Sequence, residues 1–255
     1  MNDPAVPAAR DETLAVAVAN VRARIARAAR RAGRDPAEVR LVAAAKTVPV
    51  ERVASLVASG VTDVGENRAQ ELRAKAKVLG GQPTGETSTG SPRWHFIGRL
   101  QRNKVRMVAP WVAWWQSVDR VDLGAEIARR APGARVLVEV NAAGEPQKGG
   151  CTPGETAELV DTLRDLGLVV DGLMTIPPGA SPLAADPVDD PRRSFAALRE
   201  LGAALRVPEL SMGMSDDFEL AIGEGATIVR VGRALFGARD PATGMDDRHP
   251  PGAKQ

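Results

Sequence analysis

Short apolar runs, each followed by a longer segment of helical periodicity, recur along this chain, and no other feature limits its fold as strongly. The strand candidates are 41–46 (LVAAAK), 61–65 (VTDVG), 94–98 (WHFIG), 113–118 (AWWQSV), 135–141 (RVLVEVN), 169–175 (VVDGLMT), 209–214 (ELSMGM) and 227–232 (TIVRVG). Helical periodicity covers about 49–59, 66–79, 100–108, 120–130, 153–166, 190–205 and 216–223, and a further helix, about 11–32, precedes the first run. Strands separated by helices are joined by crossovers, which makes the sheet parallel. Eight such strands in a chain of 255 residues match a (β/α)8 barrel in number and length. A doubly wound open sheet more often carries a glycine-rich turn after its first strand, whereas "KTVPVERV" follows here. The expected fold class is α/β, a (β/α)8 TIM barrel with an extra N-terminal helix. It forms one domain over about residues 10–239, with 240–255 as a flexible tail.

Several boundaries have a local reason. Pro49 suits a helix start, where its missing N–H would be unpaired anyway. Thr152-Pro153-Gly154-Glu155 has the spacing of a capping box. Gly60 and Gly167 stand where a left-handed residue ends a helix. Segments 80–92 and 178–191 are rich in Gly, Pro, Ser and Asp and read as loops or disordered inserts.

Composition narrows the function classes. The 34 basic and 32 acidic residues nearly cancel, so the arginines of 22–40 read as a solvated helix face and not as a nucleic-acid surface. One cysteine, Cys151, rules out an intrachain disulfide. No run is long and apolar enough to cross a membrane, and residues 1–12 lack a signal-peptide core. A soluble, cytoplasmic, monomeric protein without nucleic-acid or membrane partners is expected.

In such a barrel, chemistry sits at the C-terminal strand ends. The polar residues there are Lys46; Glu66 and Asn67; Arg99, Gln101 and Asn103; Asp119 and Arg120; Asn141; Ser211, Ser215 and Asp216; and Arg230, with His95 inside the third strand. "SMGMSDD" (211–217) and "RVGRALFG" (230–237) put glycines and a serine at the two strand ends that commonly bind phosphate. Lys46 ends an apolar run, which aims an amine into the barrel mouth across from that phosphate site. An aldehyde bearing a phosphate, pyridoxal 5′-phosphate, satisfies both features. A phosphosugar enzyme on the same scaffold is the alternative. Trp111, Trp114 and Trp115 read as packing residues, Cys151 as inert, and Asp216-Asp217 as a helix cap.

"AAAKTVPVERV", "VGENRAQEL", "WHFIGRLQRNK", "SVDR", "VLVEVNAAGEPQKGG", "GLMTIPP", "LSMGMSDDFELAI" and "GATIVRVGRALFG" together resemble the pyridoxal phosphate homeostasis protein family, single-domain relatives of the alanine racemase N-terminal barrel. The resemblance covers about residues 10–239 and implies a fold-type-III-like barrel holding pyridoxal phosphate as a Schiff base on Lys46. It also implies ring contact from Asn67, phosphate contacts from Ser215 and the backbone of Gly232 and Arg233, and Arg230 facing the pyridine nitrogen. Many relatives carry a small hydroxyl residue where this chain has Arg233, so only its backbone N–H carries over. Apo forms of pyridoxal-phosphate enzymes are the implied partners.

A two-base racemase of this type needs a tyrosine opposite its lysine, and this chain has none; nor are residues left for the second domain of such an enzyme. A guanidinium at the pyridine nitrogen disfavours its protonation and weakens the ring as an electron sink. The expected function is buffering and delivery of the cofactor without amino-acid turnover. The alternative is a small racemase using another base, for which His95 is the candidate.

Overall fold

The structure, a computed structural model, describes residues 11–81, 90–144, 149–177 and 190–237. Most of the expected insert at 80–92, nearly all of the one at 178–191 and the whole tail from 240 lie outside the described residues. Eight strands close a parallel barrel in chain order: β1 (Arg40–Ala44), β2 (Asp63–Glu66), β3 (Arg93–Phe96), β4 (Val112–Val118), β5 (Arg135–Glu139), β6 (Val169–Met174), β7 (Glu209–Ser211) and β8 (Ile228–Val231). Between them run α2 (Val50–Ala58), α3 (Ala69–Leu79), α4 (Val105–Val108), α5 (Val121–Arg130), α6 (Thr156–Asp165), α7 (Pro191–Leu205) and α8 (Phe218–Gly223). The expected barrel is thus observed.

The N-terminal helix has a structural job. α1 (Glu12–Arg31) buries Leu14, Val18, Val21, Ile25, Ala28 and Ala29, spaced three and four apart on one face. Helix α9 (Arg233–Phe236), which follows the last strand, is a single turn and too short to cover the β8–β1 seam. α1 packs beside α2, α8 and α9 and supplies that cover. Its arginines tie it down: Arg24 pairs with Glu219, and Arg22 donates to the Gly60 carbonyl at 2.7 Å.

Local expectations fare variously. Gly60 and Gly167 take φ of +82° and +79°, as their helix-ending positions require. Glu155 accepts from the Thr152 N–H at 2.9 Å, which is the return half of a capping box, but the helix starts only at Thr156. β7 stops at Ser211 instead of running to 214, because Gly213 turns left-handed at φ +91°. Asp217 does not cap α8; its carboxylate accepts from the Met214 N–H at 2.5 Å and closes the preceding turn.

Side chains alternate across the barrel wall. Val42, Trp114, Leu137, Met174 and Ile228 form an inner cluster, joined by Ala113 where the β3–β4 register shifts, and most of the remaining strand residues belong to the core under the helices. The guanidinium groups of Arg40 and Arg135 lie over the Trp114 ring, at 4.8 and 4.2 Å from its centroid. Among the described residues no helix is long and apolar enough to cross a membrane.

Candidate functional site

Strand parity selects the residues of the barrel mouth. Val42 faces inward, so Ala44 and Lys46 follow it on the same side; the Ala45 N–H still bonds the Gly65 carbonyl at 2.9 Å, keeping the chain extended that far. Ile228 faces inward, so Arg230 and Gly232 do too. Ala43 pairs with Val231, and continuing that register sets Gly232 beside Ala44. A Cβ on Gly232 would stand 3.1 Å from the Ala44 carbonyl oxygen, a contact that favours glycine. Lys46 therefore emerges next to the turn after β8, half-buried, and its amine has no hydrogen bond or ion pair among the described residues.

That turn converges on one hydroxyl. The N–H groups of Gly232 and Ala234 both point to Ser215 Oγ, at 3.3 and 3.4 Å. Two backbone donors and a rotatable hydroxyl, beside a glycine and a free amine, form a donor set that fits a phosphate monoester carrying an aldehyde. The Arg233 side chain points away to Asp216, and the second N–H on Ser215 is that of Ala234, one position beyond the backbone contact expected at Arg233.

Arg230 is almost fully buried. Its Nη1 donates to Ser211 Oγ at 2.6 Å and its Nη2 to the Thr175 carbonyl at 2.8 Å. Burial pulls its pKa down to about 10, and the carboxylates of Glu139 and Asp217 work against that fall; the group stays cationic at neutral pH. From Ser211 a single-file chain crosses the barrel interior. The Ser211 hydroxyl accepts from Arg230 and so gives its own proton to Gln116 Oε1 at 2.7 Å; Gln116 Nε2 donates to His95 Nδ1 at 2.7 Å. His95 Nε2 then carries the proton and donates to Asp63 Oδ1 at 2.7 Å, and Arg93 closes the chain with two bonds of 2.6 Å to Asp63. His95 is neutral and fully enclosed, and burial lowers its pKa. Both ring nitrogens are committed, so it is not available as a base.

Asn67 follows β2 and packs on Gly98, where a Cβ would fall 2.6 Å from the Asn67 carbonyl oxygen. A cavity of about 900 Å³ opens beside it, lined by Glu71, Phe96, Arg99, Lys104 and Arg120 among others; of the six expected cofactor residues only Asn67 lines it. Sequence reasoning missed Glu139, an inward carboxyl in the apolar run VLVEV, and its even spacing from Leu137 was the available signal. Burial, with Asp119 adding to it, pushes Glu139 up to about 7, while Arg230 and Arg99 act the other way. Among the described residues no cluster of His, Cys, Asp and Glu could hold a metal ion.

The closed parallel barrel and the sequence together define the class: the profile of the alanine racemase N-terminal domain matches residues 16–240. The chain is 43% identical over 235 residues to the pyridoxal phosphate homeostasis protein of Pseudomonas aeruginosa, covering 89% of this chain and 96% of that one. It is also 43% identical over 227 residues to the protein of that name from Aquifex aeolicus, covering 85% of this chain and 94% of the other. Among solved structures, PipY of Synechococcus elongatus with pyridoxal phosphate bound superposes with a TM-score of 0.70 at 30% identity, covering 88% of this chain and 100% of that one. The alanine racemase of Streptomyces coelicolor, at 19% identity, shares the fold, with a TM-score of 0.65 over 89% of this chain and 59% of its own. The chain belongs to the pyridoxal phosphate homeostasis protein family.

Proposed function

We propose that this protein binds pyridoxal 5′-phosphate covalently through Lys46 and serves to buffer and deliver it, with apo forms of pyridoxal-phosphate enzymes as recipients. The observation that carries the reading is the meeting of an inward amine, without a partner among the described residues, with the Ser215, Gly232 and Ala234 donors at adjoining strand ends. Ser215 and the two N–H groups hold the phosphate, Arg230 faces the ring, and Asn67 lies along its edge. The names of the curated relatives and the ligand of PipY support the same ligand here. When bound, the aldehyde supplies a carbon that condenses with an amine and is released again by water.

Delivery without turnover has its own support. The sequence contains no tyrosine to act as the second base of a racemase. His95, the candidate substitute, spends both ring nitrogens on Gln116 and Asp63. Arg230 keeps a positive charge where ring protonation would be needed for carbanion chemistry. The experiment is the visible spectrum of the protein with pyridoxal phosphate, before and after borohydride, followed by peptide mapping. A band fixed on Lys46, absent from Lys46→Ala, with D- and L-alanine left unracemised, is the expected result. An adduct on another lysine refutes the site, and racemisation refutes the carrier reading.

A further inference from the structure

Lys75 lies on α3 with only 7% of its surface exposed, although a lysine on an outer barrel helix ordinarily faces water. Its ammonium donates to Glu66 Oε1 at 2.5 Å and to the Ala45 carbonyl at 2.8 Å, and stands 3.7 Å from Glu71 Oε2. The same Glu71 oxygen accepts from the Thr47 N–H at 2.8 Å. These two backbone groups belong to the two peptide planes that flank the Lys46 Cα: the Ala45 carbonyl to the one before it, the Thr47 N–H to the one after. Fixing both planes fixes the backbone angles of Lys46, and with them the direction of its Cα–Cβ bond.

Two further facts show that this geometry is imposed. Thr47 has φ of +64°, a left-handed conformation that a β-branched residue adopts only when its surroundings hold it there. Glu66 is wholly enclosed and its Oε2 has no hydrogen-bond partner. A buried ion pair is poor value as a stabiliser compared with apolar residues of the same volume, so this one calls for another role. The wiring supplies it, since Glu66 holds Lys75, and Lys75 with Glu71 holds the backbone on either side of Lys46.

We infer that Lys75 and Glu71 are positioning residues for Lys46: they lock its backbone so that the amine meets an aldehyde whose phosphate sits on Ser215, Gly232 and Ala234. The inference rests on the reading of Lys46 as the attachment point. In that step the unprotonated amine adds to the aldehyde carbon, the carbonyl oxygen leaves as water, and a carbon–nitrogen double bond remains, with no redox partner required. A phosphate ligand without the aldehyde needs the donor set but not the lock.

The test compares pyridoxal 5′-phosphate with 4′-deoxypyridoxine 5′-phosphate, which lacks the aldehyde, on Glu71→Ala and Glu71→Gln. Glutamine keeps an oxygen for the Thr47 N–H and alanine does not. Covalent attachment at Lys46, trapped with borohydride over time, should slow at least about tenfold in Glu71→Ala and recover in Glu71→Gln, as expected for a misplaced reacting group. Affinity for the deoxy compound should be unchanged in both. If Glu71→Ala fails to fold, the double variant Lys75→Met with Glu66→Gln, which leaves no lone buried charge of the pair, should show the same slowing of attachment with unchanged affinity for the deoxy compound. Attachment at the wild-type rate, no recovery with glutamine, or a parallel loss of the deoxy compound each overturns the inference. A wild-type protein that is not trapped on Lys46 overturns the underlying reading instead, and peptide mapping tells the two failures apart.

Discussion

Replacing Glu139 by glutamine should stabilise the barrel, and by more as the pH rises. Glu139 faces inward at the end of β5 with 7% of its surface exposed, and burial raises it from 4.5 to about 7 even though Arg230 and Arg99 favour its ionised form. A carboxyl whose folded pKa lies above its unfolded one resists ionising in the native state. That cost is nearly absent below pH 4.5, grows between 4.5 and 7, and is complete above 7. At about 1.4 kcal/mol per pH unit, it reaches on the order of 3 kcal/mol at pH 8 and stays below about 1 kcal/mol at pH 5. Glutamine has the shape of the protonated acid and escapes the cost. Glu66, also pushed up to about 7, contributes equally to both proteins and cancels in the comparison. Urea unfolding followed by tryptophan fluorescence suits the measurement, because Trp94, Trp114 and Trp115 are enclosed. The variant should gain stability at pH 8 and little at pH 5. A gain of equal size at both values, or a loss at pH 8, refutes the reasoning.

Three other substitutions probe the framework of the site. Gly98→Ala places a methyl 2.6 Å from the Asn67 carbonyl oxygen and 2.7 Å from its Cα, backbone atoms that cannot swing aside; calorimetry should show a loss of about 1–3 kcal/mol, with weaker pyridoxal phosphate binding. Gln116→Leu leaves the Ser211 hydroxyl proton without its acceptor and His95 Nδ1 without its donor in a dry interior, and should cost about 2 kcal/mol or more in chemical denaturation. Asp63 is worked on by burial, which raises it, but bonds from His95 and Arg93 more than offset this and hold it well below the usual carboxylate range. Its stabilisation is therefore present above about pH 4 and lost on further acidification, so the deficit of Asp63→Asn in unfolding experiments should be full at pH 7 and shrink below pH 4.

The outline of the barrel was legible because strand and helix periods are local signals. The run at 135–141 shows both what this reading reaches and where it stops. Its alternation announces a strand with Leu137 and Glu139 on one face, yet nothing in the run says that this face meets Arg230 and Asp119. The limit of β7 was misjudged because ELSMGM alternates polar and apolar residues as far as Met212, while the left-handed turn at Gly213 lies against α8, where a Cβ would fall 2.6 Å from Ala221 Cβ and 2.8 Å from Phe218 Cα. On α3 the spacing of Ala69, Leu72 and Ala76 marks a buried face that also carries Lys75, but only the tertiary structure shows that its ammonium meets Glu66 and the Ala45 carbonyl.

By itself the sequence determined the order of elements, the parity that turns Lys46, Asn67, Arg230 and Gly232 toward one mouth, and the family to which these residues belong. The tertiary structure alone decided which polar groups meet. Ser211 bonds Gln116 across 95 positions of chain and Arg230 bonds the Thr175 carbonyl across 55. Such partners are chosen when the barrel closes and each enclosed donor must find an acceptor without help from water, a constraint that acts across space and leaves no period in the chain.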